Sequence, residues 1–446
     1  MISNLFDRVL KRIGSKDQGF NSILKKTSAA FSIKLGNAFL GFLYNILLAK
    51  MIGAEGAGIY YLAFSFVSIP KLISELGFRN VLLRFVSSNA GDKNWVAVKG
   101  LIRQTYLFSC LMACLFVVVI FFNATFIAEK FFDDVSTGIM TVKIMSLGLL
   151  PMTLILHSAA ILKALEKYKE GLIIGGLMVP LLGIPLMLIL TNLYGVIGAV
   201  YSLVTVNLIT LVVGLYWIWK FLPNLSNYTG SFNTKLIFAT GIPLFLIAIT
   251  NFIMAGGDVM FLGYWEDDSN VGVYGLAKRI AALTAFILVA INSIVAPKFS
   301  KLYAQGKIEE LKSVAQNSMK LLALFAFPAV GFLTIFAPQI MSLIGKDFEG
   351  GYIVLIILAL GQFVNVLTGS VGFLLMMTGF EKEMTANIVI VSFVTAGLYF
   401  FLIPTYGIIG AAIASAFGLA VQNIVAFILV KVKLGFWVVP KLKLSN

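Results

Sequence analysis

Apolar residues run in long unbroken stretches along this chain, interrupted by short polar turns. Runs of about 18 or more, the length that crosses a bilayer as a helix, occur at 29–49, 58–76, 101–122, 139–162, 172–190, 196–219, 236–262, 273–296, 321–344, 352–378, 386–403 and 408–430. These twelve runs predict an all-α polytopic membrane protein. Two of the turns, 192–195 and 404–407, are very short. Ahead of the first run the pattern changes. Ile2, Leu5, Phe6, Val9, Leu10 and Ile13 fall on one helical face, with Arg8, Lys11 and Arg12 among them. That spacing predicts a helix lying in the interface. A signal peptide would instead have a continuous apolar core and a small-residue cleavage site.

The twelve runs divide into two sets of six. Gly58-Ile59-Tyr60-Tyr61-Leu62-Ala63 returns as Gly272-Val273-Tyr274-Gly275-Leu276-Ala277, an offset of 272 − 58 = 214. Tyr194-Gly195-Val196-Ile197-Gly198-Ala199 returns as Tyr406-Gly407-Ile408-Ile409-Gly410-Ala411, an offset of 406 − 194 = 212. Matches in order at nearly one offset indicate an internal duplication. Six spans is an even number, so both units cross the membrane in the same sense. Parallel repeats of this kind form two lobes related by a pseudo-two-fold axis along the membrane normal. The expected organisation is an amphipathic N-terminal segment (1–28), an N-lobe (29–220), a polar linker (221–235) with Pro223, Asn224, Asn227 and Asn233, a C-lobe (236–430) and a tail (431–446). Loops 87–100 and 299–320 correspond between the units and read as helical extensions of the spans.

Composition sharpens the class. With 59% hydrophobic and 12% charged residues and a mean hydropathy of +0.96, the chain is no soluble protein. Its formal charge of +14 reflects topology rather than nucleic-acid binding. Placing both termini and every even-to-odd loop in the cytoplasm gathers most of the 34 Lys and Arg there, as the positive-inside rule requires. The opposite turns hold Glu129, Asp133 and Asp134, then Glu266, Asp267 and Asp268. Trp217, Trp219 and Trp265 fall at span ends, where aromatic belts form. Cys110 and Cys114 lie in an apolar run without metal-ligand or redox spacing. No metal and no cofactor are expected.

The chemistry is in charges placed where lipid should be. Asp258 and the pair Lys278-Arg279 lie at similar depth on spans seven and eight, joined by the acidic turn. An ionisable group within a span normally faces a bundle interior or a wet cavity and pairs there. Adjacent helical residues point roughly 100° apart. One of Lys278 and Arg279 therefore pairs with Asp258 while the other faces the space between the lobes. At offset 214 their counterparts are Phe64 and Ser65, so only the second lobe carries this pair. Lys71 and Glu75 are one turn apart and can pair on one face. Lys34 and Lys143 have two readings, a place on the route or snorkelling to headgroups. His157, the only histidine, also has two, a proton relay or a hydrogen bond to a neighbouring helix. Prolines at 70, 151, 180, 185, 243 and 328 fall inside spans and kink them. Charges between two lobes, without a soluble domain, describe a transporter.

The stretch Gly53 to Arg84, with its Leu-Gly-x3-Val-Leu-Leu-Arg ending, resembles the second span of polysaccharide (O-antigen, Wzx-type) flippases of the multidrug/oligosaccharidyl-lipid/polysaccharide (MOP) exporter superfamily. Asp258, Leu262-Gly263 and the run Val271 to Ala277 are similar to that family's seventh-to-eighth-span motif. The likeness in span count and lobe pattern covers nearly the whole chain. It implies a flippase in a bacterial or archaeal cell membrane that moves an undecaprenyl-pyrophosphate-linked oligosaccharide from the inner to the outer leaflet by alternating access. Membrane lipid, a coupling H+ or Na+ and glycan polymerase machinery are the implied partners. A pyrophosphate headgroup needs basic side chains in a semi-dry route; Arg279, Lys278, Lys34 and Lys71 are the candidates. Asp258, Glu75 and His157 are the candidates for coupling or charge pairing. A cation-coupled drug exporter would carry more buried carboxylates than these. A glycan polymerase or ligase would carry a large outer loop for its active site, so no enzyme is expected.

Overall fold

The computed structural model describes residues 18–223, 225 and 228–439, which form helices and no strands. The interfacial helix expected over 1–14 lies outside the described residues. Nine described helices are long and apolar enough to cross a membrane. Three of them, Gln18–Glu75, Met178–Phe221 and Glu381–Leu434, each contain one non-helical glycine: Gly53, Gly195 and Gly407. The chain reverses at each. The hydroxyls of Tyr44 and Tyr60 meet at 3.2 Å, and those of Tyr399 and Ser415 at 2.9 Å, although each pair is 16 residues apart. In a straight helix that separation would be ~24 Å. Ser202 likewise donates to the Gly183 carbonyl at 3.3 Å. With each hairpin counted as two, 9 + 3 gives the twelve spans read from the apolar runs.

The duplication is visible in the backbone. Gly195 has φ 57° and ψ −136°, and Gly407 has φ 56° and ψ −136°. This region is costly for any residue with a Cβ. Three residues on, a methyl group on Gly198 would lie 1.9 Å from the Leu190 carbonyl oxygen, and one on Gly410 2.2 Å from that of Leu402. The repeated Tyr-Gly-x-x-Gly-Ala therefore encodes one hairpin twice. A turn glycine is followed by a second glycine that lets the returning helix touch.

Some edges differ from the hydropathy pattern for chemical reasons. Span seven continues through a π-helical turn, Ile253–Gly257, into Asp258–Trp265. Span eight begins at Asp268, because the Asp267 side chain accepts the Asn270 N–H and caps the helix there. Asp134 caps Val135–Leu147 in the same way through the Thr137 N–H. Hydrogen bonding from Thr137, side chain first and backbone second, holds the Asp134 carboxyl below the usual carboxylate range. The linker does not hang free. Ser231 N–H bonds the Val96 carbonyl at 3.1 Å, and Gln104 Nε2 bonds that of Phe232 at 3.0 Å.

The spans form two six-helix lobes whose contacts differ between the two ends. At the end bearing the acidic turns (the acidic end), spans two and eight meet backbone to backbone. A methyl group on Gly58 would sit 1.6 Å from the Asp268 carbonyl oxygen, and one on Gly272 1.9 Å from that of Ala54. These repeat-related glycines thus face each other near the pseudo-two-fold axis. Beside them Asp133 N–H bonds Asp268 Oδ2 and Asp268 N–H bonds Asp133 Oδ2, both at 3.0 Å. Here one apolar core runs through both lobes, from Tyr44, Leu48 and Tyr61 to Tyr274, Met341 and Tyr399. Toward the end bearing loops 87–100 and 299–320 (the basic end) the core divides. One part lies within the C-lobe around Phe299, Leu322 and Val430, and the other within the N-lobe around Phe78, Leu101 and Ile161. Ile237 of span seven joins the latter, with Phe238 and Leu244 packed against it, where Gly77 and Gly241 let spans two and seven touch.

Candidate functional site

Asp258 is fully buried at the centre of the C-lobe. It follows directly on the π-helical turn that ends in Gly256-Gly257, a local widening frequent at functional sites. Its Oδ2 accepts from Tyr274 hydroxyl at 2.5 Å, from Ser415 Oγ at 3.1 Å and from Lys278 Nζ. Its Oδ1 accepts the Val259 N–H at 2.9 Å. Tyr399 reaches the same group through Ser415, at 2.9 Å. Spans seven, eight, eleven and twelve are thereby tied to one carboxylate. A buried charge is tolerated when it is paired and its remaining lone pairs are bonded. Both conditions hold for Asp258.

Because Lys278 turns to Asp258, Arg279 turns the other way. Its guanidinium lies over the Tyr61 ring of span two, 3.6 Å from the centroid, and its NH1 donates to the Gly275 carbonyl at 2.8 Å. The arginine is half-buried and the tyrosine buried. The contact crosses from one lobe to the other where the shared core ends.

A third group lies within the N-lobe. Lys71 and Glu75 pair at 3.5 Å, one helical turn apart. Lys71 lines a cavity of about 300 Å³ together with Asn37, Tyr44, Asn45, Phe64, Leu203 and Asn207. One wall is the π-helical turn Ile173–Leu177, whose Gly175 and Gly176 face the cavity. Lys163 reaches its rim, since a methyl group on Gly175 would be 3.7 Å from Lys163 Nζ. The charges of Arg79 and Lys34 act on Lys163 from nearby, so the basic end of this lobe concentrates positive charge. Lys34 itself is exposed. A larger cleft of about 410 Å³ between spans eleven and twelve is almost wholly apolar in lining, apart from Asn387 and Glu383, and Glu383 pairs with Lys433 at 2.7 Å.

The remaining sequence candidates fall elsewhere. His157 is buried and its Nε2 lies 3.0 Å from Ser109 Oγ, which donates its own proton to the Ser74 carbonyl at 2.7 Å. His157 is therefore the donor to Ser109, and the chain of bonds ties spans two, three and four. Lys143 stands over the Phe121 ring at 5.3 Å. Sequence reading passed over Tyr61, Tyr274, Ser415, Tyr399, Arg79 and Lys163. For Tyr61 a signal existed. It occupies the repeat position of Gly275, so the large residue of one lobe fills the space left by the small residue of the other.

Known proteins fit this geometry. Residues 23–303 match the family model described as polysaccharide biosynthesis protein, and residues 243–402 match the MatE model. The probable low-salt glycan biosynthesis flippase Agl15 of Haloferax volcanii is 25% identical over 88% of this chain and 80% of its own length. Stage V sporulation protein B of Bacillus subtilis is 21% identical over 90% of this chain and 82% of its own. Among solved structures, the lipid II flippase MurJ in an inward closed conformation superposes with a TM-score of 0.75 at 18% identity, covering 90% of this chain and 87% of that one. An inward-facing multidrug resistance MATE family transporter of the MOP superfamily gives 0.73 at 16% identity, covering 92% and 98%.

Proposed function

The chain belongs to the polysaccharide biosynthesis protein family, and from that premise we propose that it is a flippase for a polyprenyl-pyrophosphate-linked oligosaccharide. The headgroup enters from the cytoplasm at the basic end, where Lys34, Arg79 and Lys163 concentrate positive charge and Lys71 lines the N-lobe cavity. It is held at Arg279 between the lobes. The lobes then rock about their contact, the acidic end parts, and the headgroup leaves on the outer side while the lipid tail stays in the bilayer.

The observation that carries this reading is the place of Arg279: a guanidinium held between lobes, beneath a packed core and above a divided one. A guanidinium presents N–H groups in a rigid fork that matches phosphate oxygens two at a time. In a site screened from bulk water such a contact outweighs one at the surface. The division of the core at the basic end supports access from that side. The concentration of Lys and Arg there supports its being cytoplasmic, with both termini on the same face. Lys278 serves the route indirectly, since it neutralises Asp258 and turns Arg279 outward from the C-lobe.

The test is Arg279→Ala in cells that depend on this protein for surface glycan. Glycan display is expected to fall at least ten-fold with membrane protein levels unchanged, and Arg279→Lys to recover part of it. Normal display in Arg279→Ala would remove the arginine from the route.

A further inference from the structure

We propose that Tyr61 is a positioning residue through which closure of the acidic end governs how Arg279 meets an anion. This deepens the reading of Arg279 as the headgroup's anchor and rests on it. Tyr61 belongs to span two and Arg279 to span eight, so the stack at 3.6 Å exists only while the lobes are together at that end. The ring cannot drift. It is 1% exposed, meets the Tyr60 ring edge-on at 5.8 Å between centroids, and presses on Gly275 so closely that a methyl group there would be 2.5 Å from Tyr61 Cδ2. Gly275 also supplies the carbonyl that takes an N–H from Arg279 NH1. One face and one N–H of the guanidinium are therefore committed, and the rest of its donor edge is left in a set orientation.

A donor held ready before the ligand arrives loses less freedom on binding. When the acidic end opens, span two withdraws the ring. The guanidinium then regains its freedom and its water, so its grip on an anion weakens as the exit forms. By linkage, a bound anion favours the closed acidic end to the same degree. The coupling needs no change in any charge. It needs an aromatic face on one lobe and a cation on the other.

The Tyr61 hydroxyl is buried and has no hydrogen-bond partner among the described residues. Tyr61→Phe thus keeps the ring face and breaks no protein bond, whereas Tyr61→Leu removes the face. A desolvated cation–π contact corresponds to about a ten- to thirty-fold change in binding. The experiment uses the full chain in nanodiscs with inorganic pyrophosphate as probe. Affinity is read from the rise in melting temperature with pyrophosphate concentration. Closure is read from disulfide yield between Asp133→Cys and Asp268→Cys in a background of Cys110→Ser and Cys114→Ser.

With Tyr61→Phe, pyrophosphate is expected to bind as to the parent and to raise the cross-link yield. With Tyr61→Leu, binding should weaken about ten-fold and the yield should cease to respond. Should Tyr61→Leu fail to fold, Tyr61→Met replaces it, as an unbranched side chain without a ring. Parent-like binding by the non-aromatic variant, where Arg279→Ala abolishes binding, overturns the role of Tyr61 and leaves the anchor standing. Parent-like binding by Arg279→Ala overturns the anchor and the role of Tyr61 with it.

Discussion

The two lobes differ most at their centres. At the repeat offsets, Tyr44 corresponds to Asp258 (258 − 44 = 214), Phe64 to Lys278 (278 − 64 = 214) and Leu203 to Ser415 (415 − 203 = 212). In the N-lobe these three residues line a cavity of about 300 Å³, where Tyr44 and Tyr60 share a neutral contact at 3.2 Å. In the C-lobe their counterparts close on one another around a carboxylate, with Tyr274 in the place of Tyr60. One scaffold thus holds a hollow on one side and an ionic knot on the other. The backbone was kept by glycines at the turns and at close helix contacts. The interior was free to diverge, because filling it with an ion pair or leaving it open alters no turn.

The strongest way to break this comparison is to unbalance the knot. Asp258→Ala leaves Lys278 without its partner in a closed interior and is expected to cost about 3–5 kcal/mol, read as a large drop in melting temperature of the purified protein. Rebuilding the N-lobe's neutral set, with Asp258→Tyr, Lys278→Phe and Ser415→Leu together, should recover most of that loss. A triple variant as unstable as the single one would show that the knot is not interchangeable with the neutral packing.

A smaller effect sharpens the likeness between the lobes. Gly195→Ala and Gly407→Ala each force a Cβ into a positive-φ turn of the same geometry, which costs about 1–3 kcal/mol. At Gly195 that Cβ meets nothing within 4 Å, whereas at Gly407 it lies 2.7 Å from Glu266 Oε1, so Gly407→Ala is expected to lose as much or more. A smaller loss at Gly407 would mean that the hairpins share a shape without sharing its energetics.

The smallest effect concerns helix starts. Asp134 caps span four through Thr137, while Asp347 sits in the first turn of the 3-10 segment Lys346–Gly351, whose N-cap is Gly345 and has no side chain to cap with. Asp134→Ala should cost on the order of 1 kcal/mol, and Asp347→Ala less. The hydrogen bond from Thr137 lowers the folded-state pKa of Asp134. Its contribution is then present above the unfolded carboxylate pKa and is lost as pH falls through the lowered folded value. Melting at neutral pH and below about pH 3 checks both points.

How much of this was legible beforehand depends on the range of each interaction. Lys71 and Glu75 are one helical turn apart, and Asp258 and Lys278 face each other across a single turn. Both pairs follow from helix geometry and the order of the spans. The choice between Lys278 and Arg279 did not, since a rotation of about 100° separates them and only the packed neighbours decide which way the helix turns. Ser109 as the partner of His157 was hidden for the same reason: spans three and four meet in a register that no local pattern records. That the charges of Arg79 and Lys34 act on Lys163 depends on three separate helices converging.

What the sequence determined by itself is the solvent and the scaffold: twelve apolar runs that only a bilayer accommodates, and two copies of one six-span unit, written in turn glycines whose conformation few other residues adopt. Which charges became partners was decided by tertiary structure, because a side chain's direction is local but its partner lies on another helix. The stacking of Arg279 on Tyr61 shows this. Tyr61 sits in the repeated motif and Arg279 two residues beyond its second copy, which places both at the right depth, and only the approach of the two lobes at Gly58 and Gly272 brings ring and guanidinium within reach.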